Sequence, residues 1–131
     1  MRVIPTRIHG MADYLIGVLL IAAPWLLDFA DGGAEQWVPI VLGAGLILYS
    51  LLTDYELGAV HIIPMPVHLV LDMIGGAFLA ISPWLFGFSD EVWAPHVVVG
   101  VIEFAAGLLT RTHPERVRGE RPARSDEPMA H

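Results

Sequence analysis

Four apolar runs, joined by short polar segments, account for most of this chain. Residues 8–29 form the first, 37–53 a shorter second, 67–88 the third and 93–110 the fourth. A bilayer core takes about 20 apolar residues per helix, so each run predicts a membrane-spanning helix. At 1.5 Å per residue the first would measure about 33 Å, enough to span with some tilt. Pro39 falls in the first turn of the second run, where a missing backbone donor costs nothing. The joints at residues 28–36 and 89–92 are acidic, residues 54–66 make a mixed connector, and residues 111–131 carry charge and proline without apolar period, which predicts a disordered tail.

The pattern is used twice. HGMADYLIGVLLIAAPWLLDFAD, from His9, aligns without a gap on HLVLDMIGGAFLAISPWLFGFSD, from His68, at an offset of 59 residues. Ile4-Pro5 and Ile63-Pro64 precede the two copies, and Trp37-x-Pro39 is echoed by Trp93-x-Pro95 at an offset of 56, as if the second copy had lost three loop residues. The unit is therefore two helices, with repeat 1 at about residues 4–54 and repeat 2 at about 63–110. Both copies enter the membrane in the same direction, which predicts a pseudo-two-fold axis along the membrane normal. His9, Asp13, Gly17, Leu20 and Pro24 are spaced for one helix face, as are His68, Asp72, Gly76, Leu79 and Pro83. A face carrying aspartate does not point at lipid, and glycine permits close approach, so this face belongs in the bundle interior.

Composition agrees with an all-α, polytopic membrane domain over residues 1–110. The 131 residues are 55% hydrophobic and only 16% charged, with a mean hydropathy of +0.61, and leave no room for a separate soluble domain. A net charge of −7 argues against nucleic acid as a partner, and the lack of cysteine excludes disulfides, thiolate metal sites and a cysteine nucleophile. The first run follows Arg2 and Arg7 as a signal peptide would, yet it is long, contains Asp13 and recurs in mid-chain, so it reads as a retained helix. All seven basic residues are arginines in residues 2–7 or 111–124, whereas the loops with Asp28, Asp31, Glu35, Asp90 and Glu91 have none. This bias places both termini in the cytoplasm and the protein in the cytoplasmic membrane. The four tryptophans, Trp25, Trp37, Trp84 and Trp93, then gather at the outer interface.

Three sets of residues carry candidate chemistry. His9 with Asp13 and His68 with Asp72 are i, i+4 pairs that converge near the cytoplasmic mouth, the histidines at the interface and the aspartates about a turn deeper. They would either fasten the helices through hydrogen bonds or ligate a divalent metal such as zinc or manganese; no other cofactor is implied. His96 and Glu103 share a face of the fourth helix, with Glu103 near mid-membrane where the first copy has Ile40 and Ile47. A carboxylate there is protonated, paired or hydrated. It is either hydrogen-bonded across helices or part of a ladder of titratable groups with the two pairs. The third set is the proline steps: Pro24-Trp25 and Pro83-Trp84 end or kink their helices and anchor them.

Ser82-Pro83-Trp84, with its degenerate copy Ala23-Pro24-Trp25 inside a duplicated two-helix unit, resembles the SPW-repeat integral membrane proteins over about residues 4–110. The resemblance implies a small polytopic membrane protein and no catalytic residues; Ala23 departs from it. The expected role is a non-enzymatic accessory or scaffold protein, partnered by the lipid bilayer and by copies of itself or a larger membrane complex. A proton or cation carrier is the alternative, and a metal-binding or redox membrane enzyme the third.

Overall fold

The computed structural model describes residues 2–114, and the expected disordered tail lies, from residue 115 on, outside them. Four helices follow one another as α1 (Thr6–Leu26), α2 (Ala34–Leu51), α3 (Met65–Leu85) and α4 (Ala94–Leu109), with no named strand among the described residues. Three of them are long and apolar enough to cross a membrane, and α4 is a shorter apolar helix. Leu15, Val18, Val41, Leu48, Ile74, Ile81, Val98 and Val101 point outward, while His9, Asp13, His68, Asp72, Thr53 and Thr110 are buried. An apolar exterior around a polar interior is the arrangement lipid selects and water does not. This is a multi-pass membrane protein.

The duplication is visible in the backbone. Pro5 and Pro64 begin α1 and α3 with nearly identical extended angles, φ −62°, ψ 144° and φ −61°, ψ 145°. Their carbonyls accept the N–H of His9 and His68, each at 3.1 Å. The prolines therefore set the phase at which the two histidines turn inward. Ile4, just before α1, is bridged to Thr110, just after α4; Ile63, just before α3, is bridged to Thr53, just after α2. Each repeat ends against the start of the other, closing the bundle by the same bonds: Ile4 N–H to Leu109 O at 2.9 Å and Ile63 N–H to Leu52 O at 2.8 Å. Arg111 N–H bonds Ile4 O, so the first residue of the expected tail still belongs to the fold.

The main packing is within each repeat, α1 on α2 and α3 on α4, with lesser contact of α2 with α3 and α1 with α4. Glycine makes it close. A side chain on Gly76 would meet the Gly100 carbonyl, and one on Gly17 the Ile47 side chain and the Gly43 carbonyl. The repeat-defining glycines thus join each first helix to its own second helix, and α1 and α3 meet through their polar side chains.

This packing corrects one register. The buried faces of α2 (Pro39, Gly43, Leu46, Ser50) and α4 (His96, Gly100, Glu103, Gly107) correspond at an offset of 57 residues, as do Thr53 and Thr110. The Trp-x-Pro echo at 56 is not structural: α2 starts at Ala34, before Trp37, whereas Trp93 is the residue that caps α4. Glu103 therefore stands where the first copy has Leu46, and His96 where it has Pro39, rather than opposite Ile47 and Ile40.

Candidate functional site: a buried His-Asp ring and its surroundings

The two His-Asp pairs meet in the centre. His9 Nε2 lies 2.7 Å from Asp72 Oδ2 and 2.9 Å from Asp13 Oδ2; His68 Nε2 lies 2.8 Å from Asp13 Oδ2 and 3.2 Å from Asp72 Oδ2. The four atoms form a ring that alternates nitrogen and oxygen and alternates repeats, with every side chain at most 1% exposed. The expected offset of one turn between histidine and aspartate is absent. Helical side chains lean toward the N-terminus, so each carboxylate reaches back to the level of its imidazole.

Outside the ring, the histidines are held alike. Thr110 Oγ1 donates to Ala106 O at 2.6 Å and Thr53 Oγ1 to Tyr49 O at 2.6 Å. A hydroxyl has one proton, so each must accept from the imidazole beside it: His9 Nδ1–H at 2.6 Å and His68 Nδ1–H at 2.8 Å. Both rings are thereby oriented with Nδ1 protonated and Nε2 turned to the aspartates. The carboxylates differ. Tyr49 donates to Asp72 Oδ1 at 2.5 Å, whereas Asp13 Oδ1 is buried without a partner among the described residues. Tyr49 corresponds to Ala106, so the second copy has no phenol to offer Asp13. We expect Thr110→Val to cost about 1 kcal/mol, as for a hydrogen bond between membrane helices, read as a lower thermal midpoint in detergent; an unchanged midpoint would show that the His9 orientation does not depend on Thr110.

Near this end Tyr55 covers Gly10 and lies tilted against the His68 ring, with the ring centroids 5.8 Å apart. It lies in the connector, and burial pushes its phenol above the ordinary range, so it stays neutral. Thr6 donates to Glu56, and Arg2 Nη1 caps α4 through Gly107 O and Thr110 O at 3.1 and 2.9 Å. Neither Tyr49 nor the two threonines was singled out from sequence; Thr53 and Thr110, each ending its repeat's second helix, carried a signal in the duplication.

The other candidates sit apart from the ring or at its edge. Glu103 is 4% exposed, and its Oε1 has no partner among the described residues, so the expected hydrogen bond across helices is not formed there. It lines a cavity of about 340 Å³ between α2 and α3 together with Tyr49, Asp72, Gly45 and Gly75. His96, at the far end of α4, lies against the Phe29 and Phe88 rings at 5.3 and 4.9 Å and donates Nε2–H to Glu35 O at 2.9 Å. It ties α4 to α2.

At that same end the proline steps have a physical explanation. A proline cannot serve the carbonyl four residues back; for Pro83 that carbonyl is Leu79 O, and Ser82 Oγ donates to it at 2.6 Å. The serine supplies the proton that the proline removes. The helix then stops: Phe88 N–H bonds Pro83 O at 2.8 Å with Gly87 at φ +74°, and Phe29 N–H bonds Pro24 O at 2.8 Å with Asp28 at φ +59°. Both are six-to-one closures with a left-handed residue before the donor. The helices therefore end at Leu26 and Leu85, not at Phe29 and Phe88 as the apolar runs suggest. Trp25, Trp37, Trp84 and Trp93 are all exposed at this end. Ala23 supplies no hydroxyl to Leu20 O. We expect Ala23→Ser to stabilise the protein by about 0.5–1.5 kcal/mol, seen as a raised thermal midpoint; a lowered one would overturn this reading of the serine.

Among known proteins, the model of one family, described as the SPW repeat domain, matches residues 7–110. No curated protein and no solved structure matches the chain.

Proposed function

As this chain belongs to the SPW-repeat family, we propose that it is a non-enzymatic accessory or scaffold protein of the cytoplasmic membrane, with residues 2–5 and 110–114 on the cytoplasmic side. The observation that carries the role is the closure of the polar centre. Both nitrogens of His9 and of His68 are engaged by the other repeat or by the threonine that ends a second helix. Such a centre serves to lock two repeats together, leaving apolar helix faces for lipid and for neighbouring membrane helices. The arginine bias and the tryptophans at the opposite end support the orientation. Isolation of the tagged protein from native membranes in a mild detergent tests the role. Recovery with another membrane complex in fixed ratio is the expected result, and recovery as a monomer alone would overturn it.

Glu103 favours a second reading, proton or cation transfer. An unpartnered carboxyl buried beside the cavity that reaches Asp72 and Tyr49 is a group that packing alone does not require. On this reading Glu103→Gln abolishes proton flux into reconstituted vesicles while leaving the fold intact. Flux that is absent from the wild type, or unaltered by the substitution, removes it.

A further inference from the structure

We propose that the His9–Asp13–His68–Asp72 ring is a binding site for one divalent first-row transition ion, of which Zn²⁺ is the best match. The four atoms facing one another are two imidazole Nε2 and two carboxylate Oδ2, one from each side chain, all within 4.8 Å of one another. Both histidines use Nδ1–H on a threonine hydroxyl, so Nε2 is the atom each presents to the centre.

Two carboxylates buried with their Oδ2 atoms within 4.8 Å of one another need two positive charges to balance them. Two protons, one on each Nε2, supply the charge but not the geometry. Each Nε2–H is a single donor with two carboxylate oxygens in reach, at 2.7 and 2.9 Å for His9 and at 2.8 and 3.2 Å for His68, so two protons serve four contacts imperfectly. One central dication engages all four atoms at once.

The surroundings are those of a metal site. Ligating histidines donate their other N–H to an oxygen that fixes the ring, and ligating carboxylates are themselves hydrogen-bonded. Thr110 and Thr53 do the first for both histidines, and Tyr49 does the second for Asp72. Asp13 Oδ1, buried and unpartnered, is a spare oxygen able to add a second bond from the same carboxylate. Two nitrogens and two or three oxygens suit Zn²⁺, Co²⁺ or Mn²⁺; Ca²⁺ and Mg²⁺ take oxygen alone and more ligands. Metal–ligand bonds of about 2.0–2.1 Å in a tetrahedron put neighbouring ligand atoms about 3.3 Å apart, so the ring opens by a few tenths of an ångström on binding. All four ligands come from one chain, so the site is the same whether the protein works alone or in an assembly.

Two measurements on the full chain in mild detergent test it. Elemental analysis of protein purified without chelator should find close to one zinc per chain, and Co²⁺ added after chelation should give a visible ligand-field absorption that saturates at one equivalent. His68→Gln and Asp13→Asn should abolish the absorption. Because either change can unfold the bundle, Tyr49→Phe and Thr110→Val, which keep all four ligands, provide a second arm and should weaken Co²⁺ binding about 10- to 100-fold. A monodisperse, helical wild type that holds no stoichiometric zinc and gives no Co²⁺ absorption overturns the proposal, as does Co²⁺ binding retained at one equivalent in folded Asp13→Asn/His68→Gln protein.

Discussion

Asp72→Ala should destabilise this protein by about 3–5 kcal/mol, the range for removing one partner from a buried charged network. The carboxylate is the acceptor for His9 at 2.7 Å, for His68 at 3.2 Å and for Tyr49 at 2.5 Å. Its loss leaves two buried imidazoles to one aspartate and takes from the Tyr49 phenol the carboxylate that accepts its proton. Since whole domains are held by roughly 5–15 kcal/mol, the expected observation is a large drop in the thermal midpoint of helical circular dichroism in detergent, or no folded protein at all. Asp13→Ala should cost less, because only one of its oxygens is used. Asp72→Asn should lie between wild type and alanine, retaining volume and an acceptor oxygen. Equal losses for Asp13→Ala and Asp72→Ala would show that the Tyr49 bond, the feature separating the two halves of the ring, contributes nothing.

The second large effect is expected at Gly100. A Cβ built there would lie 2.5 Å from Gly76 O and 2.6 Å from Ala80 N, both backbone atoms of α3 that cannot rotate out of the way. Overpacking against side chains costs about 1–3 kcal/mol; against a helix backbone Gly100→Leu should cost at least about 3 kcal/mol, because α3 and α4 must part. Moving α4 also moves Thr110 away from His9. Gly45 and Gly75 provide the control, since a Cβ at either would have no neighbour within 4 Å. Alanine at either should change stability by less than about 1 kcal/mol, with a gain favoured by helix propensity. A Gly100→Leu protein as stable as wild type would mean that the close α3–α4 approach is not required.

Much of the architecture was legible in the sequence, because a bilayer imposes a single rule on each span. Run length sets the number of helices, and the recurrence of His9 to Asp31 at His68 to Asp90 sets the pseudo-symmetry. The inward face could be read from spacing, since 4, 4, 3, 4 holds residues on one side of a helix whatever the helix packs against. Helix ends were less legible. Leu26 and Leu85 stop their helices inside apolar runs because Pro24 and Pro83, a turn before the closing left-handed positions, present carbonyls that a later N–H can take. Hydropathy is blind to that.

Only tertiary structure decided which atoms of the polar face meet. A helix face gives the direction of a side chain but not its partner, so the sequence brought the two pairs together yet left open whether each aspartate bonds the histidine of its own helix or that of the other repeat; in the structure it reaches both. The same holds for Thr110 and His9, brought together because the end of repeat 2 is bridged to the start of repeat 1. Register between repeats was also a tertiary matter: loop length can change without disturbing the helices, and only the facing glycines, Gly17 with Gly43 and Gly76 with Gly100, show that Glu103 replaces Leu46. Composition and periodicity determined that two polar half-sites exist and point inward; the closing of the bundle on itself decided that they form one ring.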